Sequence, residues 1–128
     1  MILDTSAIID FFRGNAAIRT KLQALEEDGT VFSTTVISVV EMFRGIDVSN
    51  REKVKELDEY FGGVELLALT PESAREAGII SSMLRGTGLL IEPEDCMIAG
   101  IAKTKGEPIL TRNTKHFERI RGLKIETY

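Results

Sequence analysis

A chain of 128 residues with a formal charge of −4 and one cysteine, Cys96, has the length of a single domain, enough to close a core without disulfide staples. No apolar run approaches the roughly 20 residues that cross a membrane. The apolar N-terminus carries Asp4 and Asp10 and no basic flank, which excludes a signal peptide and makes the cytoplasm the expected location.

The elements follow one another as strand and helix. Ile2-Leu3 reads as a short strand, residues 6–13 as a helix stopped by Gly14, and Asn15 as the cap of a second helix running to Glu27. Thr30-Val31-Phe32-Ser33 reads as the second strand. Thr34 or Thr35 caps a helix ending at Arg44, with Val36, Val39, Val40 and Phe43 as its core face. Residues 50–61 form a helix closed by Gly62-Gly63, and 64–69 a third strand. Thr70-Pro71-Glu72 is a strong helix start, with Thr70 as cap and Pro71 in the first helical position; that helix ends near Gly86. Pro93 opens another that stops at Gly106. Pro108-Ile109-Leu110-Thr111 is a strand, residues 114–119 a helical turn, and 123–126 the last strand. Strands alternating with helices predict an α/β fold, a central parallel sheet flanked by helices on both faces, in one domain over residues 1–128.

Four places carry candidate chemistry. Asp4 stands where the first strand ends, the edge at which an open α/β sheet builds its ligand crevice. Glu41 falls opposite the apolar face of its helix, in a stripe with Thr34, Ser38 and Gly45; such a Glu is most simply solvated or paired with Arg44 at i+3. Asp95 lies in a helix that is apolar or small all round after its first turn. Glu94 is accounted for by the helix dipole, whereas Asp95 faces a buried direction and needs a partner or a cation. The turn Thr111-Arg112-Asn113-Thr114 follows a strand, so it shares the edge of Asp4. There Asn113 is either a loop former or a holder of water or metal beside the carboxylates.

With these pieces in place the chain resembles a PIN domain, and in particular the small toxins of VapBC-type toxin–antitoxin pairs. The resemblance rests on Asp4-Thr5-Ser6, on Val40-Glu41 followed by Arg44-Gly45, on Asp95-Cys96-Met97-Ile98-Ala99-Gly100-Ile101-Ala102, and on Leu110-Thr111-Arg112-Asn113-Thr114-Lys115-His116-Phe117. Each motif alone is weak, but together they span the chain in the family's order. The resemblance implies a metal-dependent endoribonuclease with Asp4, Glu41 and Asp95 as catalytic metal ligands and Thr5, Ser6, Thr111 and Asn113 in support. Arg44, Arg112 and Lys115 are the candidates for a rim holding substrate phosphates. One departure stands out: many relatives carry a fourth acid in this segment, often just before the Phe, where this chain has His116, with Asn113 at the other common location; His116 is read as an exposed or packing residue ahead of the alternative, a metal ligand.

Hard oxygen ligands suit Mg²⁺ or Mn²⁺, and a carboxylate cluster without a cation would repel itself. The net negative charge excludes broad adhesion to nucleic acid. An acidic centre with a local basic rim (Arg112, Lys115, His116, Arg119, Arg121 and Lys124) still accommodates an RNA phosphodiester. The resemblance further implies a VapB-type antitoxin whose tail places a basic side chain in the acidic cleft. It also implies a homodimer, with apolar surface near residues 36–43 or 79–84. Rival classes fit less well. A phosphoacceptor receiver lacks its Asp after the third strand, and a dehalogenase-type phosphatase would need an acid where Ser6 stands. A DNA nuclease would be expected to carry sizeable insertions for gripping a duplex. A catalytically silent PIN domain serving as a binding module remains the alternative, kept open by the missing fourth acid.

Overall fold

The computed structural model describes residues 1–128. Its elements in chain order are β1 (Ile2–Leu3), α1 (Thr5–Phe12), α2 (Ala16–Glu27), β2 (Ser33–Thr35), α3 (Val36–Arg44) and α4 (Arg51–Gly63), then β3 (Glu65–Leu67), α5 (Pro71–Gly86), α6 (Pro93–Lys105), β4 (Ile109–Leu110), α7 (Thr114–Phe117) and β5 (Ile125–Glu126). The five strands lie in the order β3-β2-β1-β4-β5, and every pairing is parallel. The order reverses between β1 and β4, so the crevice of this open sheet opens at their C-terminal ends.

Strand periodicity sorts the core into two halves. Ile2 and Ile109 are register partners, as are Leu3 and Leu110; successive residues point to opposite faces. Ile2 and Ile109 therefore pack with Leu67, Ile80, Ile98, Ile101 and Phe117 on the α5–α6 side. Leu3 and Leu110 pack with Ile8, Ile18, Met42, Leu57 and Phe61 on the α1–α4 side. No helix is long and apolar enough to cross a membrane.

Caps fix most helix starts. Asn15 accepts from the N–H of Ala17 and Ile18, Asn50 from Lys53, and Thr35 from Ser38. Thr70 and Ser73 exchange side-chain and backbone hydrogen bonds in a capping box ahead of Pro71. At the other end of α6, Gly106 adopts φ 69°, the left-handed stop that favours glycine.

Three expectations shift. The second strand is Ser33–Thr35, later than the Thr30–Ser33 run. Val31 is 75% exposed, while Thr34 and Thr35 are fully buried with their hydroxyls satisfied by Leu3 O and by the α3 cap. Apolarity marked the wrong residues because these threonines carry their own hydrogen-bond partners into the interior. On α3 the buried positions are Ile37, Ser38 and Met42; of the expected face, Val36, Val39 and Phe43 pack partly buried on the core, while Val40 is 58% exposed. The helix is wedged between both core halves, so no single apolar stripe describes it. Gly62 and Gly63 lie inside the end of α4, and β3 is a three-residue edge strand.

Candidate metal centre

β1 delivers Asp4 to the switch point, and its backbone N–H donates to Leu110 O of β4 at 3.0 Å. Asp4 occupies the N-cap position of α1, yet its side chain makes no capping bond. Instead Oδ2 accepts from the hydroxyls of Ser6 and Thr111, each at 2.7 Å. Those two hydroxyls are 3.2 Å apart. They are held in turn by backbone N–H groups, Arg112 donating to Ser6 Oγ at 3.1 Å and Asn113 to Thr111 Oγ1 at 2.9 Å. The carboxylate is thus nearly buried, at 2% exposure, with one oxygen fully engaged. No buried side-chain oxygen in the molecule lacks a partner, so Oδ1, which takes no donor, keeps access to the cleft.

Glu41 comes from α3 and is half-buried. Thr5 Oγ1 donates to its Oε1 at 2.7 Å and lies 2.9 Å from Ser38 Oγ, one turn earlier on α3. Asp95 sits in the first turn of α6 and is buried; its Oδ2 is 2.7 Å from His116 Nδ1 at the end of α7. Burial pushes the Glu41 carboxyl above its ordinary range, the Thr5 hydrogen bond opposes this, and the charges of Asp4, Asp95 and Glu94 add to the rise. Burial likewise raises Asp95, against the stabilising His116 contact, and the Asp4 charge raises it further. The three acids therefore share one electrostatic neighbourhood and repel one another in it.

The bare side chains do not close on one point: no three acid, His or Cys groups converge at metal-ligand distance. Each carboxylate is instead drawn toward a neutral or imidazole partner. The donor chemistry is that of Mg²⁺ or Mn²⁺, ions that take one or two protein carboxylates directly and keep several waters. The set is all oxygen at Asp4, Glu41 and Asp95, with a nitrogen corner at His116.

Of the supporting residues, Thr5, Ser6 and Thr111 all touch a candidate ligand. Asn113 acts through its backbone N–H; its side chain forms no cap at the start of α7. The rim residues divide. Lys115 is exposed and in no ion pair, whereas Arg44 binds Glu94 at 2.9 Å and Arg112 binds the buried Asp10 at 2.5 Å. Two contacts escaped the sequence reading. His116 is neither merely exposed nor packing but the partner of Asp95, and Asp10 holds both Arg112 and the Tyr128 hydroxyl. The available signal was that His116 stands where many relatives carry the fourth acid of the cluster.

The residues 1–123 match the PIN domain family model. Over 128 residues the chain is 35% identical to Ribonuclease VapC1 of Methanocaldococcus jannaschii, covering 98% of this chain and 85% of that one. It is 27% identical to the tRNA(fMet)-specific endonuclease VapC of Shigella flexneri, covering 99% of this chain and 96% of the relative. The fold superposes on a DNA-bound VapBC structure from Salmonella typhimurium with a TM-score of 0.84 at 26% identity, covering 98% of this chain and 96% of that one. A match across nearly the whole length, to a family whose VapC relatives share its sequence and its fold, means that this chain belongs to the PIN-domain family.

Proposed function

We propose that this chain is a metal-dependent endoribonuclease that hydrolyses RNA phosphodiester bonds, and the toxin of a toxin–antitoxin pair. The observation that carries the reading is that Asp4, Glu41 and Asp95, from β1, α3 and α6, lie close enough for the charges of Asp4 and Asp95 to raise Glu41 and for that of Asp4 to raise Asp95. The ribonuclease and endonuclease names of its VapC relatives support it. No membrane-crossing helix is present, and we read the protein as cytoplasmic.

Asp4, Glu41 and Asp95 would hold Mg²⁺ or Mn²⁺, which when bound lowers the pKa of a water and neutralises charge on the scissile phosphate. The chain's own groups prepare that site. Ser6 and Thr111 fix Asp4 through Oδ2, Thr5 holds Glu41 at Oε1, and His116 holds Asp95 at Oδ2. With one oxygen of each acid engaged, the other is free to face the cleft. Lys115 is the unpaired cation of the three rim candidates and the best placed to meet a flanking phosphate.

A VapB-type antitoxin is the proposed partner, and a basic side chain on its tail would relieve the same carboxylate repulsion that a cation relieves. A homodimer is proposed through the apolar side chains left exposed on α3 and α5, Val40 and Met83 at 58% and 60%.

The test is cleavage of structured RNAs by the purified chain with and without Mn²⁺ or Mg²⁺, beside Asp4→Asn and Asp95→Asn. Metal-dependent cleavage leaving 5′-phosphate and 3′-hydroxyl ends, lost in both variants, is the expected result. Metal-independent cleavage, or equal cleavage by the variants, sinks the assignment. Metal and RNA binding without cleavage would favour a silent binding module, the reading that His116 in place of an acid supports.

A further inference from the structure

Asp10 is a carboxylate at 3% exposure on α1, outside the three-acid cluster, and a buried charge of this kind requires partners. It has two. Arg112 donates through a guanidinium nitrogen to Oδ1, and the Tyr128 hydroxyl donates to Oδ2 at 2.8 Å. Arg112 also donates its backbone N–H to Ser6 Oγ. Ser6 and Asp10 are four residues apart and share a face of α1. Arg112 therefore grips α1 at two points one turn apart, by its backbone at Ser6 and by its side chain at Asp10. Tyr128, just beyond β5, closes the second side of Asp10 while its ring packs into the α1–α4 half of the core.

The consequence runs to Asp4 by two short routes. Ser6, fixed by the Arg112 N–H, donates to Asp4 Oδ2, and Thr111, the residue before Arg112, donates to the same oxygen. The turn after β4 must sit correctly on α1 for both hydroxyls to reach it. The geometry points to Asp10, Arg112 and Tyr128 as positioning residues of the metal site, a lock that joins the ends of β1, β4 and β5 and sets the orientation of the Asp4 carboxylate. Arg112 keeps about half of its side chain, 51%, in solvent, but on this account its guanidinium is committed to Asp10 and it is not a phosphate-holding rim residue. The inference rests on Asp4 being a metal ligand.

The test compares Arg112→Ala, Arg112→Lys, Asp10→Asn and Tyr128→Phe with the wild-type chain in two measurements that need no turnover. Mn²⁺ affinity is followed by the electron paramagnetic resonance signal of free Mn²⁺. Single-stranded RNA binding is followed by fluorescence anisotropy across a salt series without divalent metal. Outer partners of metal ligands change affinity by about 10–100-fold. Arg112→Ala should therefore weaken Mn²⁺ at least tenfold, Tyr128→Phe by a smaller factor, and Arg112→Lys should restore part of the loss. The salt slope of RNA binding should stay at the wild-type value. A phosphate contact predicts the opposite pattern, unchanged Mn²⁺ affinity with a slope shallower by about 0.7 in Arg112→Ala; that result overturns the proposal. Should Arg112→Ala or Asp10→Asn fail to fold by circular dichroism, Tyr128→Phe, which removes one hydroxyl, decides: wild-type Mn²⁺ affinity there refutes the lock. If the wild-type chain itself binds no Mn²⁺, the metal reading falls and the lock falls with it, a distinct outcome from normal binding in every variant.

Discussion

Gly100 lies in the middle of α6, the helix that carries Asp95, against α5. A Cβ built there would stand 2.4 Å from Ser73 O, 2.9 Å from Ala77 N and 3.0 Å from Ala77 Cβ. Two of those atoms are helical backbone and cannot rotate away. Bringing the first contact to the 3.4 Å of ordinary van der Waals approach requires the helices to part by about 1 Å. Overpacking of this kind costs about 1–3 kcal/mol, and a clash with rigid backbone belongs at the upper end. Alanine's better helix propensity returns about 1 kcal/mol. Gly100→Ala should therefore destabilise by about 2 kcal/mol net, which lowers Tm by roughly 6–10 °C for a chain of this size. Gly78, on α5, supplies the control: a Cβ there meets nothing within 4 Å. Gly78→Ala should be neutral or stabilising by up to about 1 kcal/mol. Differential scanning calorimetry on both variants, with Mn²⁺ affinity in parallel, makes the comparison. Because Asp95 rides on α6, Gly100→Ala should weaken Mn²⁺ as well. A Tm for Gly100→Ala within 2 °C of wild type, or equal shifts for the two variants, would refute the packing argument.

Glu41 and Asp95 both have carboxyls raised by burial first and by neighbouring carboxylate charge, that of Asp4 in both cases, so the folded chain binds more protons than the unfolded one above their ordinary range. Stability contributed by these groups must then fall as pH rises from about 4 toward neutrality. Metal-free wild type should lose Tm with rising pH relative to a Glu41→Gln/Asp95→Asn variant, and saturating Mn²⁺, which should stabilise the wild type alone, should remove the wild type's loss; a difference of opposite sign between the metal-free proteins would contradict the repulsion. Thr111→Val removes a donor to Asp4 and orphans the Asn113 N–H, which should cost about 1–3 kcal/mol by urea denaturation. His116→Asp places an acid in the corner where many relatives have one. It should tighten Mg²⁺ and Mn²⁺ about tenfold, in proportion to the effect of neighbouring groups on metal sites, while lowering the Tm of the metal-free chain; isothermal titration showing no gain in affinity would count against a metal site reaching that corner.

The local grammar of the chain was legible before any coordinates. Thr70-Pro71, Asn15, Pro93 and Gly106 announce helix ends because caps, proline and left-handed glycine act on their immediate neighbours. An acid after an apolar pair announced the functional edge, since the end of a parallel strand is set by local sequence. Polar residues that bring their own partners were harder to place. Thr34 and Thr35 form a buried strand because one hydroxyl finds Leu3 O, a pairing across chain segments that leaves no periodic trace, and the other caps α3 locally, a role the sequence did offer.

What the sequence by itself determined was the alternation of elements, hence a parallel α/β sheet; it also offered Asp4, Glu41 and Asp95 as candidates for one site. What only the tertiary structure decided was who faces whom. The order β3-β2-β1-β4-β5 brings Thr111 against Asp4 across 107 positions and Tyr128 against Asp10 across 118. It sets Arg112 on Asp10 and His116 on Asp95. Such contacts depend on how strands are ordered in space, a long-range choice made by the closure of the whole core, and side-chain type alone carries no record of it.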